Sequence, residues 1–230
     1  LSQNTVFDII EDANGFIWFA TMSGLSRYDG VRIVNYSKNN PVYSIPAVEV
    51  YHLNVDKAGG LWALSRGIVL TQNANNQIVQ FVDLSLHLPR SESYAATKVM
   101  FDNNNNIVVL LQTEIAVFNR NGELVQRVQL FDKTQNNLPQ ITDAAWSGDQ
   151  LLVTTSKGLW LVNKNFEKKQ LDLWDDDLKN TYVTQILIRD SHIELLMQNK
   201  LIHLNFQFEE VISFSLHTLG FKMSCLLYTS

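Results

Sequence analysis

Val6-Phe-Asp-Ile-Ile-Glu-Asp-Ala-Asn-Gly-Phe-Ile-Trp-Phe-Ala-Thr21, followed by Met22-Ser23-Gly24-Leu25, decides the reading of this chain. Two apolar-rich runs flank Ala13-Asn14-Gly15, which supplies the positive-φ positions of a tight hairpin. The second run, Phe16 to Ala20, is continuously apolar. That suits a strand covered on both faces better than a strand with one wet face. A second copy runs from Val50 to Ser65 and continues into Arg66-Gly67-Ile68; Asp12 maps to Asp56, Gly15 to Gly59 and Trp18 to Trp62, each 44 positions apart. Three landmarks at one offset are hard to obtain by chance.

Weaker copies follow at Asp102 with Ile107 to Leu110, at Gly148-Asp149 with Leu151 to Val153, and at Asp190-Ser191-His192 with Ile193 to Met197. The second turn of each unit aligns at Gly24, Gly67, Glu114, Gly158 and Lys200, each followed by an aliphatic residue: Leu25, Ile68, Ile115, Leu159 and Leu201. Runs rich in Val, Ile, Phe and Trp between turn residues are strand signals, and no segment sustains a helical period. Four short antiparallel strands per ~40–50-residue repeat is the signature of a β-propeller blade. The expectation is an all-β propeller with about five four-stranded blades near residues 1–44, 45–90, 91–136, 137–180 and 181–215. Residues 216–230 would begin a further blade or form an artefactual tail. Blade one is expected to place strands at Val6–Glu11, Ile17–Thr21, Leu25–Tyr28 and Arg32–Tyr36, and Phe206 to Ser215 to hold the outer strand of blade five.

Composition sets the class. The chain has 230 residues, 46% hydrophobic and 18% charged, a globular profile rather than a disordered one. A formal net charge of −5 argues against a nucleic-acid partner, which needs clustered Lys and Arg. No run approaches the ~20 apolar residues that span a bilayer, and no leader pattern opens the chain. Because it begins with Leu1, the sequence reads as a fragment, with membrane contact expected only through missing segments. The closing Ser224-Cys225-Leu226-Leu227-Tyr228-Thr229-Ser230 resembles translated adapter read-through, so Cys225, the single cysteine, carries no functional weight.

Leu1 to Val6, Ile10-Glu-Asp12, Asn14-Gly15, Trp18, Thr21, Gly24-Leu25 and Arg27-Tyr-Asp-Gly30 together resemble the two-component regulator propeller repeat. Copy two keeps Asp56, Gly59 and Trp62; copies three to five lose the tryptophan. The resemblance implies a periplasmic sensor region, usually of seven-bladed propellers. Downstream of it would lie a membrane span and an output module, either a histidine kinase or a diguanylate cyclase.

Each chemistry-bearing residue also has a structural reading. Trp18 and Trp62 sit inside apolar runs and read as packing between blades. Asp12 to Gly15 lacks the ligand alternation of a calcium loop and reads as a turn. Arg27-Tyr28-Asp29-Gly30 reads as a strand end, with Arg27 tethered to a neighbouring blade, and Trp174 to Asp177 as a solvated acidic loop. His52, His87, His192, His203 and His217 show no zinc-motif spacing, and His52 and His203 fall within strand patterns. No phosphate loop, nucleophile elbow or evident carboxylate pair is present. No metal, cofactor or catalytic residue is therefore expected. Ligand contacts are expected on loops, with Arg66 and Tyr94 as the candidates.

The reading is a non-catalytic, extracytoplasmic ligand-sensing module. Its expected partners are a small-molecule or carbohydrate ligand, the rest of its own receptor chain and a homodimer partner. A propeller enzyme of lyase or lactonase type, with His, Glu and Asp converging on a channel mouth, is the alternative. A protein-interaction platform is a third.

Overall fold

The computed structural model describes residues 3–131, 138–171, 183–197, 200–207 and 209–215. Among these described residues, twenty strands form five four-stranded antiparallel sheets, each a meander in chain order. Blade one holds β1 (Val6–Glu11), β2 (Ile17–Thr21), β3 (Gly24–Tyr28) and β4 (Ile33–Tyr36). Blade two holds β5 (Val50–Val55), β6 (Leu61–Ser65), β7 (Ile68–Gln72) and β8 (Ile78–Asp83). Blade three holds β9 (Lys98–Phe101), β10 (Ile107–Leu110), β11 (Glu114–Phe118) and β12 (Leu124–Gln129). Blade four holds β13 (Ile141–Ser147), β14 (Gln150–Thr155), β15 (Gly158–Val162) and β16 (Lys168–Gln170). Blade five holds β17 (Val183–Ile188), β18 (Ile193–Met197), β19 (Lys200–Leu204) and β20 (Glu210–Ser215). Among the described residues the only helical pieces are a 3-10 turn, Leu84–Leu86, and α1 (Arg90–Ser93), both between blades two and three. The expected five-bladed, all-β architecture is what the chain adopts. It divides into two compact units, Leu1–Arg127 and Val128–Ser230. Trp174 to Asp177, His217 and Cys225 lie outside the described residues.

The first hairpin of each early blade is organised by an aspartate. Asp12 Oδ1 accepts from the N–H groups of Asn14 (2.9 Å) and Phe16 (3.1 Å), and Oδ2 accepts from Trp18 Nε1 at 2.7 Å. Asp56 repeats this with Ala58, Gly60 and Trp62 Nε1 at 3.0 Å. One carboxylate therefore closes the turn and satisfies a buried indole N–H, which would otherwise cost about 1–3 kcal/mol. Trp18 and Trp62 are buried, as the apolar runs imply. Arg27 departs from expectation. Opposite Trp18 in the β2–β3 register, it lies over Phe16 (4.5 Å) and Trp18 (5.7 Å) of its own blade. Side chains on one face of adjacent strands meet across the ladder, which keeps the guanidinium within its own sheet.

The second turn corrects the repeat alignment by one residue in blade two. Gly24 pairs with Thr21 and Gly158 with Thr155, but Ser65 pairs with Ile68. Ile68 is thus the counterpart of Gly24, and Val69 that of Leu25. Gly24 has φ +110°, and a Cβ there would sit 2.2 Å from the carbonyl oxygen of Tyr36. In blade two the positive-φ residue comes one position earlier, at Gly67, so the constraint moves with the turn. The outer strand of blade five is shorter than expected, because a turn bonded from Asn205 to Glu209 precedes Glu210.

Within the first unit, β1 lies beside β5 and β5 beside β9; within the second, β13 lies beside β17. Four first strands carry a bulge or register irregularity between their first and third residues: Val6/Asp8, Val50/His52, Ile141/Asp143 and Val183/Gln185. At three of them the third side chain accepts a bond from the next blade's first strand. Leu53 N–H donates to Asp8 Oδ2 (2.7 Å), Val99 N–H to His52 Nδ1 (3.4 Å) and Ile186 N–H to Asp143 Oδ2 (2.9 Å). Bulges re-aim side chains, here at an amide of the neighbouring sheet. Apolar clusters fill the seams. Trp18, Leu25, Val50 and Leu61 join blades one and two; Trp62, Val69, Val99 and Phe118 join two and three; Leu152, Leu159, Ile186 and Leu195 join four and five.

Candidate functional site

The structure brings Arg66 and Tyr94 together at one end of the first unit. Arg66 is the first residue of the β6–β7 turn and Tyr94 caps α1. They meet through Gly67: a Cβ there would lie 2.8 Å from Tyr94 Cδ1 and Cε1, so the bare glycine is what lets the ring lie on the turn. Arg90 Nε donates to the Tyr94 hydroxyl at 3.1 Å, and its guanidinium carbon stands 5.1 Å from the ring centre. The ring is held but remains 44% exposed.

Arg66 Nε pairs with Glu49 Oε1 at 2.8 Å and donates to the Tyr51 hydroxyl at 3.2 Å. Burial, followed by the Glu49 carboxylate, pushes the Tyr51 phenol up, so it stays a neutral hydroxyl across the physiological range. Tyr51 packs against Phe7 with ring centres 5.4 Å apart, and Phe7 is 41% exposed. Beyond α1, Arg127 Nη2 bonds Glu92 Oε2 at 2.7 Å and also Glu114 Oε1. Burial raises the pKa of Glu114, with Glu92 beside it adding to the rise and Arg127 opposing it. Glu92 and Glu114 are thus a carboxylate pair that the linear sequence does not display, since α1 and β11 are far apart along the chain.

Exposed aromatic faces (Phe7, Tyr94) beside a half-buried phenol, two guanidinium forks and a carboxylate can stack on a flat or ring-shaped ligand. They can also bond its hydroxyl or acidic groups in fixed directions. Sequence reasoning singled out Arg66 and Tyr94 but missed Phe7, Glu49 and Tyr51. One signal was available: Tyr51 stands 44 residues after Phe7, so the repeat places an aromatic at the second position of both first strands. A second signal was Glu114, a carboxylate at the turn position where blades one and four have Gly24 and Gly158.

The histidines divide. His52 and His203 lie in β5 and β19, as their patterns imply. His87 packs edge-on against Phe118 at 5.4 Å. His192 and His203, however, converge on Glu194 in blade five, with donor atoms within 4.8 Å of one another. Among the described residues no helix is long and apolar enough to cross a membrane.

These sheets and seams define a β-propeller of the tandem-blade kind, whose turn chemistry repeats from blade to blade. The sequence profile described as the two component regulator propeller matches residues 1–23, which bears out the resemblance over that stretch. No curated protein matches the sequence. Solved structures match its fold. Virginiamycin B lyase from Staphylococcus aureus aligns with TM-score 0.71 at 15% identity, over 93% of this chain and 71% of that one. A chain described as the extracellular domain of a B. thetaiotaomicron hybrid two component system aligns with TM-score 0.67 at 18% identity, over 92% of this chain and 30% of that one. PorZ, a surface component of the type-IX secretion system of Porphyromonas gingivalis, aligns with TM-score 0.67 at 12% identity, over 92% and 34%. The chain therefore spans about a third of the length of the latter two.

Proposed function

We propose that this chain is the extracytoplasmic ligand-sensing part of a transmembrane signalling receptor, and that it binds its ligand without turning it over. The observation that carries the reading is the surface built from Arg66, Glu49, Tyr51, Tyr94 and Phe7, on a scaffold whose residues 1–23 match the two-component regulator repeat. A fold likeness to an extracellular two-component domain supports the compartment. Likeness to a lyase shows the same fold and assigns no chemistry. The ligand class that fits is a carbohydrate or another polyhydroxylated ring: stacked on an exposed aromatic face and bonded through its hydroxyls by Arg66 and Glu49. Signal output requires that this ligand bind one receptor state more tightly than the other.

The test is a thermal-shift screen of the chain against soluble neutral and acidic oligosaccharides, followed by calorimetry on Arg66→Ala and Tyr94→Ala. At least one saccharide is expected to raise the unfolding midpoint, to bind at least ten-fold more weakly to each variant, and to be recovered chemically unchanged. Saccharides that leave the midpoint unmoved, unaltered affinity in both variants, or a cleaved product would each overturn the reading.

A further inference from the structure

Two strands of blade five carry a constellation that the ligand site does not use. His192 immediately precedes β18 and Glu194 is the second residue of that strand, two positions on and therefore on the same face. Glu194 pairs directly across the ladder with His203 of β19. Three side chains thus share one patch of one sheet. His192 Nε2 lies 3.1 Å and His203 Nε2 3.9 Å from the same atom, Glu194 Oε1. The two imidazoles stack with centres 4.4 Å apart and planes inclined by 27°. All three side chains are partly buried, at 27%, 17% and 22% exposure.

We propose that His192 Nε2, His203 Nε2 and Glu194 Oε1 bind one borderline divalent cation of the zinc class, with a fourth position open to water. Two imidazoles and one carboxylate are the donor set that zinc-class ions prefer, and three protein ligands leave a tetrahedral position free. With metal–ligand bonds of roughly 2.0–2.1 Å, the edge of such a tetrahedron is roughly 3.3 Å, and the observed donor separations of 3.1 and 3.9 Å straddle it. The outer contacts suit the same role. Ser191 Oγ lies 2.9 Å from His192 Nδ1, so a proton on Nδ1 directed at the hydroxyl leaves the Nε2 lone pair facing the cation. Arg189 holds the other carboxylate oxygen, Glu194 Oε2, through Nε and Nη2, each at 3.2 Å, and turns Oε1 towards the rings. Its positive charge also weakens attraction for a cation, so an affinity near micromolar is expected rather than the tighter binding of a structural zinc site.

Calorimetry of the chain with ZnCl2, and separately with MgCl2, tests the site. Zinc is expected to bind at one equivalent with a micromolar constant, and magnesium not to bind. His192→Gln and His203→Gln should each weaken zinc at least ten-fold, and His87→Gln should leave it unchanged. Zinc binding of equal strength in all four proteins, or none in the parent chain, overturns the proposal. Should a blade-five variant fail to fold, crystals of the parent chain grown with zinc decide it. Anomalous density at the zinc edge within bonding distance of both Nε2 atoms sustains the site, and such density elsewhere or nowhere refutes it.

Discussion

Blades one and two and blade three solve the same turn with different depth. In all three an aspartate (Asp12, Asp56, Asp102) opens the first hairpin and its Oδ1 takes main-chain N–H groups. In the first two, Oδ2 reaches inward to a tryptophan six residues on; in blade three it takes Asn106 Nδ2 at 2.8 Å, and the register-equivalent inward position is Val108. Turn closure is thus the shared requirement and the indole an addition. What the indole adds is volume in the seam, because Trp62 packs against Phe81 at 4.7 Å and Phe101 at 5.4 Å, on either side of the seam to blade three. Blade three compensates from outside: Arg120 stands 4.8 Å over the Trp62 ring and bonds Asp56 Oδ2 at 2.8 Å. Burial would raise the Asp56 carboxyl, but the bonds from Arg120, Gly60 N–H and Trp62 outweigh it and hold the pKa below the ordinary range.

The sharpest way to break this comparison is to empty the inward position. Trp18→Ala should cost about 3–5 kcal/mol, as large-to-small aromatic changes in a packed core do. Val108→Ala removes two methyl groups and should cost about 1.5–2.5 kcal/mol. Urea midpoints of the two variants measure the difference, and equal losses would mean that the indole adds nothing to the seam. Next in size is the carboxylate itself. Asp12→Ala strips acceptors from two turn amides and a buried indole and should cost about 2–3 kcal/mol, against about 1 kcal/mol for Asp102→Ala, whose Oδ2 bond is to a half-buried side-chain amide. Thermal unfolding of the pair tests that order.

A third test concerns the seam between blades two and three. Burial, with Lys98 adding to it, drives the pKa of His52 down to about 3. Its neutral Nδ1 can then accept from Val99 N–H. An unfolded histidine takes its proton near pH 6.5 and the folded one does not, so stability falls as pH drops from about 6.5 towards 3. The slope is at most ~1.4 kcal/mol per pH unit for one proton. Asp8, raised chiefly by its burial, works in the opposite sense just above its ordinary value, which makes a variant the right control. His52→Asn keeps an acceptor but not the titration, and its unfolding midpoint should fall less steeply between pH 6.5 and 5 than that of the parent. Parallel pH profiles would remove His52 from the acid response.

The fold was legible because the turn residues and two-sided apolar runs recur at a near-constant offset, and those features are local. Strands β1 and β2 fall where Asp12, Gly15 and the Phe16–Ala20 run place them. The surface proposed to bind ligand was half legible. Arg66 stood out as a charge in the second turn of blade two, where the corrected register puts Met22 in blade one, and Tyr94 as an aromatic in a long connection. Glu92 with Glu114, and His192 with His203, were not visible, since each pair is made by packing across strands or connections and not by spacing along the chain. Arg27 was placed on the wrong blade for the same reason: its partner is chosen by cross-strand register.

The third residue of each first strand has one more consequence. At every seam where the bond forms, the earlier sheet spends a side chain while the later sheet contributes only an amide proton, which any residue but proline carries. The hydrogen bond itself therefore places no demand on the later sheet's side chains, which are left to fill the apolar seam. Asp8, His52 and Asp143 serve as interchangeable acceptors against Leu53, Val99 and Ile186, so the copies can drift apart in composition while the sheets stay latched in order.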